Sequence, residues 1–378
     1  MKDGNMNNRI KVIQLVSTLN DGGAETLVKD YVRFIDKSRF EVMVVCCLNP
    51  QKTANEKWLE ENQIKVVKLW EKLTLPTRLL HKIAPTWFFG ARCRRVLKDF
   101  RPDVIHSHLD VLKLLRFNHR QLKNTGLFFT CHTENDGTLM PNREVPAANF
   151  LIQHNGMRVI ALHDTMRTEL NRMFDINNTV VLHNGIDMER FTQTKKTQQD
   201  MRREIGIPED AYLVGHVGRF SQRKNHSFLI EVYREVLRRE PKAHLLLVGS
   251  GELERSIREK IDAAGLTEKV TILSHRTDIP ELLKAMNVYL FPSLHEGLSI
   301  ALLEAQACGL PCVVSDTIDA ETFCSDGITK LPLDAPISEW AEAVIHPQSN
   351  VECAQDSREF DIRYVVKKLE TLYTERVR

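Results

Sequence analysis

One pattern limits this chain more than any other, because it occurs twice. A short, almost continuously apolar run leads into a glycine-bearing or basic loop, and a helix-period segment follows. The first instance is Ile10–Val16, then Asn20-Asp-Gly-Gly-Ala-Glu25, then a segment with Leu27, Val28, Tyr31, Val32 and Phe34 on one side. Strands that are apolar on both faces belong in parallel sheets covered by helices. Strand, glycine loop and helix in that order open a doubly wound α/β domain. Further strands are expected at Phe40–Leu48, Ile64–Leu69, Asp103–Asp110, Leu127–His132, Arg158–His163 and Thr179–His183. The second half restarts with strands at Tyr212–Gly218, Ala243–Val248, Val270–Leu273, Val288–Phe291 and Cys312–Ser315. Helices are expected between them at about Asn225–Arg239, Leu253–Ala264 and Ile279–Met286.

The fold class is therefore α/β, with two Rossmann-like domains in series. A length of 378 residues suits two domains. The polar stretch from Thr192 to Asp200 reads as the linker, giving domains 1–190 and 191–359. The segment from Ile362 to Val377 carries an apolar helical stripe of Ile362, Val365, Val366, Leu369, Leu372 and Tyr373.

Composition narrows the partners. A net charge of +2 does not point to nucleic acid. No apolar run approaches the ~20 residues needed to span a bilayer, and the polar start lacks a signal-peptide core. Eight cysteines without a Cys-x-x-Cys pair, several in apolar strand runs, suit free buried thiols in a reducing cytosol. A cytoplasmic protein is the expectation. Between Leu73 and Arg101, basic residues alternate with Leu79, Leu80, Ile83, Trp87, Phe88, Phe89 and Val96. Two readings stay open there. One is contact with an anionic membrane surface at its inner face; the other is ordinary helices with a solvated basic side.

Candidate chemistry gathers at strand ends, where such sheets bind ligands. After Val288–Phe291 come Glu296, Gly297, Leu298 and the helix cap Ser299, with Glu304 inside the helix. Gly309 and Pro311 end that helix. Its N-terminus suits an anion. Glu304 lies five residues past Ser299, roughly 7–8 Å along the axis at ~1.5 Å per residue. Carboxylates on both sides of an anion seat suit a ligand with hydroxyls at both ends and phosphate between, as in a nucleotide-sugar. The plain alternative is a surface glutamate and a solvent-facing helical one.

Arg219 and Lys224 sit in a loop before a helix N-terminus, where a diphosphate would lie, or they form a solvated basic loop. Gly249-Ser250-Gly251 resembles a dinucleotide fingerprint, but Glu254 stands at the third glycine position, which weakens a nicotinamide reading. On a strand His106, His108 and Asp110 would share one face, unless Asp110 already lies past the strand end; metal binding or, in preference, hydrogen bonding at the sheet edge is the expectation. Strands running into His132, His163 and His183 hint at a cleft wall.

In combination these residues are recognisable. Gly22-Gly-Ala-Glu25, His106-Ser-His108, His183-Asn-Gly-Ile-Asp187, Gly218-Arg219 with Lys224, Val248-Gly-Ser-Gly251 and Glu296-x₇-Glu304 follow in one order over nearly the whole chain. The chain resembles family 4 glycosyltransferases of the GT-B fold, most closely the exopolysaccharide and capsule type. The resemblance implies two Rossmann-like domains facing a cleft, with the donor on the C-terminal one. It implies a retaining hexosyl- or N-acetylhexosaminyltransferase using a UDP-sugar and a saccharide or lipid-linked acceptor. No metal or other cofactor is implied. Arg219 and Lys224 would neutralise the diphosphate, Glu304 would bind ribose, and Glu296 would contact the hexose. The Gly297-Leu298-Ser299 backbone would meet sugar or phosphate. Gly218, Gly249 and Ser250 would line the donor site, and His275-Arg276 would meet the base. His108, ahead of His106, would approach the transferred sugar, and Gly23 would line the acceptor side. The C-terminal helix would pack back on the first domain, with a dimerisation helix as the alternative. Two departures are Asn225, where many members have glycine, and Asn287, where aspartate is frequent.

Overall fold

The computed structural model describes residues 9–20, 22–49, 52–71, 85–132, 138–348 and 357–377. The chain divides into two compact units. One runs to Asn184 and takes back Ile362–Arg378; the other runs from Gly185 to Asp361. The division falls after Asn184, ahead of the polar 192–200 stretch. That stretch lies between the helices Met188–Thr192 and Gln198–Glu204. The second of these holds Arg202, which is buried and donates to the carbonyls of Ala285, Glu209 and Ala211.

In the first unit β1 (Ile10–Val16), β2 (Phe40–Leu48), β3 (Lys65–Trp70), β4 (Val104–His108), β5 (Gly126–Thr130), β6 (Arg158–Ala161) and β7 (Val180–Val181) form one sheet. Its order is β3-β2-β1-β4-β5-β6-β7, and the pairings are parallel. The second unit repeats the plan. β8 (Tyr212–Val217), β9 (Ala243–Val248), β10 (Val270–Leu273), β11 (Val288–Phe291), β12 (Cys312–Ser315) and β13 (Ile328–Leu331) lie in the order β10-β9-β8-β11-β12-β13, again parallel. Each sheet reverses its strand order once at its centre, between β1 and β4 and between β8 and β11. Ligands of open α/β sheets bind outside the strand carboxyl ends at that switch point.

Both faces of the sheets are covered, as their near-continuous apolar strands require. On one face of the second sheet, Leu229, Val232, Tyr233 and Val236 pack with Trp340, Ala341 and Val344 over Leu245, Leu247, Val288, Leu290 and Val313. The helix that carries Trp340, Ile337–Ile345, and strand β13 were not foreseen from sequence. Trp340 is fully buried and satisfies its indole N–H on the Pro332 carbonyl at 3.0 Å.

The helix Ile362–Val377 buries Ile362, Val365, Val366, Leu369 and Tyr373 in the first unit. Its Glu370 accepts from the Asp36 backbone N–H at 2.7 Å, and Arg376 donates to the Gly156 carbonyl at 2.7 Å.

Among the described residues no helix is long and apolar enough to cross a membrane. Of the basic 73–101 stretch, residues 73–84 lie outside the description. The rest forms the helix Pro85–Phe100.

Candidate active site

The second unit's switch point is built from two loops. One follows β8 and carries Gly218, Arg219 and Lys224; the other follows β11 and carries Glu296, Gly297, Leu298 and Ser299. They are tied together by the Leu294 N–H donating to the Arg223 carbonyl at 2.8 Å. Lys224 and Glu296 meet at 2.7 Å, with side chains 7% and 4% exposed. The Lys224 ammonium also lies 4.4 Å from the centre of the Phe291 ring. Burial pushes the Glu296 carboxyl up, but Lys224 and Arg223 outweigh it and hold it below the usual carboxylate range. Burial pulls the Lys224 ammonium below its ordinary value, against the attraction of Glu296.

Local conformation explains the residue types here. Asn225 has φ +54°, the left-handed region that Gly and Asn tolerate. Asn225 caps the helix His226–Arg239. A Cβ at Gly218 would lie 3.2 Å from Lys224 Cε, so glycine leaves room for the lysine stem. A Cβ at Gly249 would lie 2.0 Å from the Gly218 carbonyl oxygen, and one at Gly251 would lie 2.4 Å from that of Phe220. The Gly249–Gly251 loop is stitched to the Gly218–Phe220 loop by Phe220 N–H to Ser250 O at 3.0 Å and Leu253 N–H to Phe220 O at 3.0 Å. These glycines thus serve close approach of two backbones.

Arg219 behaves differently from Lys224. It is 63% exposed on its side chain and pairs with Glu252 at 3.1 Å. Ser299 caps the helix Ile300–Ala307 by accepting from the Leu302 N–H. Glu304 is half-buried on that helix, one turn and a half further on. His275 has φ +55°, and Arg276 pairs with Asp278 and, at 3.5 Å, with Glu204. The Arg276 side chain is thus engaged within its own unit. Asn287 accepts from the Leu213 N–H and from Arg202, each at 2.7 Å.

Sequence reasoning missed two histidines of this site. His216 ends a stack with Tyr289 and Phe291, and His226 packs against it with ring centres 4.9 Å apart. His216 Nε2, both His226 nitrogens and the Ser221 hydroxyl are buried without a hydrogen-bond partner. Unpaired buried polar atoms are costly, and a concentration beside Lys224 marks a place built for more than packing. The signal was legible in part, since His226 follows the basic loop directly.

In the first unit, β4 ends at His108, and the helix Gly23–Phe34 starts at Gly23 after β1. His108 is fully buried at the carboxyl end of β4. Its ring nitrogens meet Gln14 Oε1 at 3.1 Å and His132 Nε2 at 3.3 Å. Asp110 lies beyond the strand and pairs with Arg143, so it does not share a strand face with the histidines. At the N-terminus of the Gly23 helix, Glu25 folds back. Its carboxylate accepts from Thr18 at 2.8 Å and lies 2.5 Å from where a Gly22 Cβ would stand. The lack of a side chain at Gly22 leaves room for the Glu25 carboxylate where it stands.

Two doubly wound units, one with a buried Lys–Glu pair beside a helix N-terminus at its switch point, define a two-domain α/β protein. Two family models between them match most of the chain. Residues 21–190 match "Glycosyltransferase Family 4", and residues 197–352 match "Glycosyl transferases group 1". The putative glycosyltransferase EpsF of Bacillus subtilis is 29% identical over 363 residues, 88% of this chain and 86% of that protein. D-inositol 3-phosphate glycosyltransferase of Corynebacterium jeikeium is 28% identical over 72% of this chain and 69% of that protein. HepE from Anabaena, solved with UDP and glucose, superposes with a TM-score of 0.75 at 19% identity, covering 97% of this chain and 100% of that one. That likeness establishes the GT-B fold. The chain belongs to the family 4 glycosyltransferases.

Proposed function

We propose that the chain is a retaining glycosyltransferase that moves a hexose or N-acetylhexosamine from a UDP-sugar to a saccharide or lipid-linked acceptor in polysaccharide biosynthesis. The observation that carries this reading is the buried Lys224–Glu296 pair at the switch point of the second unit, beside the helix Ile300–Ala307. A departing nucleoside diphosphate gains negative charge, which preorganised cations and a helix N-terminus stabilise. Lys224, held in place by Glu296, and the exposed Arg219 supply the positive charge that a divalent metal would otherwise bring. Glu304 receives the ribose hydroxyls, and the Gly297–Ser299 backbone meets the phosphate or sugar. In a same-face substitution the departing phosphate oxygen takes the acceptor proton, so no protein nucleophile is assigned.

Two findings support the UDP-sugar and lipid-linked parts of the reading. HepE is described in complex with UDP-glucose. A relative from Escherichia coli, 32% identical over 139 residues, is named UDP-Gal:alpha-D-GlcNAc-diphosphoundecaprenol alpha-1,3-galactosyltransferase; the match spans 36% of each chain. The test is transfer from a panel of UDP-sugars to undecaprenyl-linked and free saccharides, with and without EDTA, in wild type, Lys224→Ala and Glu304→Ala. Product with retained anomeric configuration, insensitive to EDTA and lost in both variants, is expected. Wild-type turnover in both variants refutes the site. Tight UDP-sugar binding with no transfer to any acceptor favours a non-catalytic binding protein on the same fold.

A cytoplasmic protein resting on the inner face of the membrane is the matching location. On the helix Pro85–Phe100, Trp87 is 59% exposed, and the Arg95 side chain points to solvent. Flotation with vesicles of increasing anionic lipid tests this; binding independent of anionic lipid refutes it.

A further inference from the structure

The first unit holds a buried line of polar side chains that the reading above leaves without a role. It runs from Thr130 through His106, Tyr373, Gln14 and His108 to His132. His106 Nε2 meets Thr130 Oγ1 at 2.7 Å, and His106 Nδ1 meets the Tyr373 hydroxyl at 2.7 Å. Gln14 Nε2 donates to the Tyr373 oxygen at 2.9 Å, and Gln14 Oε1 faces His108 Nε2 at 3.1 Å. His108 Nδ1 faces His132 Nε2 at 3.3 Å. Thr130, His106, Tyr373, Gln14 and His108 are all buried, and Tyr373 comes from the C-terminal helix, 267 residues from His106.

Each bond needs one donor and one acceptor, and with the Gln14 amide nitrogen on Tyr373 that rule orders the whole line. Gln14 spends its N–H on the tyrosine oxygen, so the single hydroxyl proton goes to His106 Nδ1. His106 then carries its proton on Nε2 and donates it to Thr130. At the other end Gln14 offers only its carbonyl oxygen, so His108 carries its proton on Nε2. Its Nδ1 lone pair is left facing His132. Burial keeps both rings neutral, with His106 pushed down to about 3 and His108 held well below the usual imidazole value. A neutral imidazole has one proton, and its neighbours decide which nitrogen holds it.

We propose that Tyr373 and Gln14 are positioning residues for His108, through which the C-terminal helix fixes the tautomer that the first unit presents at its switch point. The proposal rests on reading His108 as part of the transfer machinery. It gives the returning helix a task beyond packing: Tyr373 covers the sheet and also sets the sense of the hydrogen-bond line.

The test uses the full chain labelled with ¹⁵N-histidine, with the ring nitrogens assigned through His106→Asn and His108→Asn. In wild type, His108 is expected to be protonated on Nε2 alone. Tyr373→Phe keeps the ring against Phe40 and Phe128 and removes only the hydroxyl. The Gln14 amide then loses its fixed sense, and the His108 nitrogens shift toward an average of both tautomers. Turnover is expected to fall roughly 2- to 10-fold at unchanged donor affinity, the worth of one net hydrogen bond. Gln14→Met cuts the same link while leaving Tyr373 on His106, and should shift His108 alone. Protonation of His108 on Nδ1 in wild type, or an unchanged His108 tautomer in both variants, overturns the proposal. Full turnover in His108→Ala refutes the role of His108 itself, whatever its tautomer, and so separates the two failures.

Discussion

The Lys224–Glu296 pair allows a quantitative test. Replacing Lys224 by Met keeps most of the stem volume but leaves the Glu296 carboxylate, 4% exposed, facing Arg223 at 3.9 Å as its remaining cation. Breaking a buried pair from one side costs about 3–5 kcal/mol, because one charge stays desolvated without its partner. Loss of the ammonium over Phe291 falls within that range. For a unit of this size each kcal/mol shifts Tm by roughly 2–4 °C, so calorimetry should show a fall of about 6–20 °C in the transition of the second unit. Glu296→Leu strands the ammonium instead and should cost a similar amount. The double variant removes both charges, and buried pairs replaced by apolar groups often lose little or nothing. It should therefore melt well above either single variant while failing to bind nucleotide-sugar. Additive losses in the double variant, or single losses under about 2 °C, would refute the coupled buried pair.

Three further outcomes follow from the same geometry. Arg219→Ala should leave stability within about 0.5 kcal/mol, since its pair with Glu252 is exposed, yet weaken donor binding measured by calorimetry. His226 is pushed down to about 4, first by burial and then by Lys224. Its folded value lies below the unfolded one, so it destabilises the fold as pH drops from about 6.5 to 4; His226→Phe should lessen that acid loss in Tm against pH. Glu144 is raised to about 7 by burial and by Asp110. Its folded value lies above the unfolded one, so its stabilising share is present below about pH 4.5 and is lost as pH rises through 7. The Tm of Glu144→Gln relative to wild type should climb across that window, and a constant difference would contradict the assignment.

Much of the architecture was open to inspection in the chain itself. Runs such as Ile10–Val16, Ala243–Val248 and Val288–Phe291 are apolar on both faces, and only a helix-covered parallel sheet buries both. Weakly patterned elements escaped. Strand β13 carries Lys330 among its four residues. The Thr192–Asp200 stretch read as a linker from its polarity, whereas the division into two units falls after Asn184.

The site divides along the same line. Loop position, glycine spacing and helix capping are local properties, so Gly218, Arg219, Lys224, Glu296, Ser299 and Glu304 could be singled out as neighbours of strand ends. Which charges are paired is not a local property. Lys224 and Glu296 are 72 residues apart and share a buried bond, while Arg219, five residues away, stays in solvent. The order of β8 beside β11 sets that difference, because it brings two loops together over Phe291. The task of Tyr373 is likewise absent from its own helix, where it reads as one member of an apolar stripe. Only packing that returns the chain's end against β1 and β4 puts its hydroxyl between Gln14 and His106. Periodicity determined the strands and helices; long-range burial decided which polar groups had to find each other, since a desolvated charge or hydroxyl must be answered wherever in the chain its partner lies.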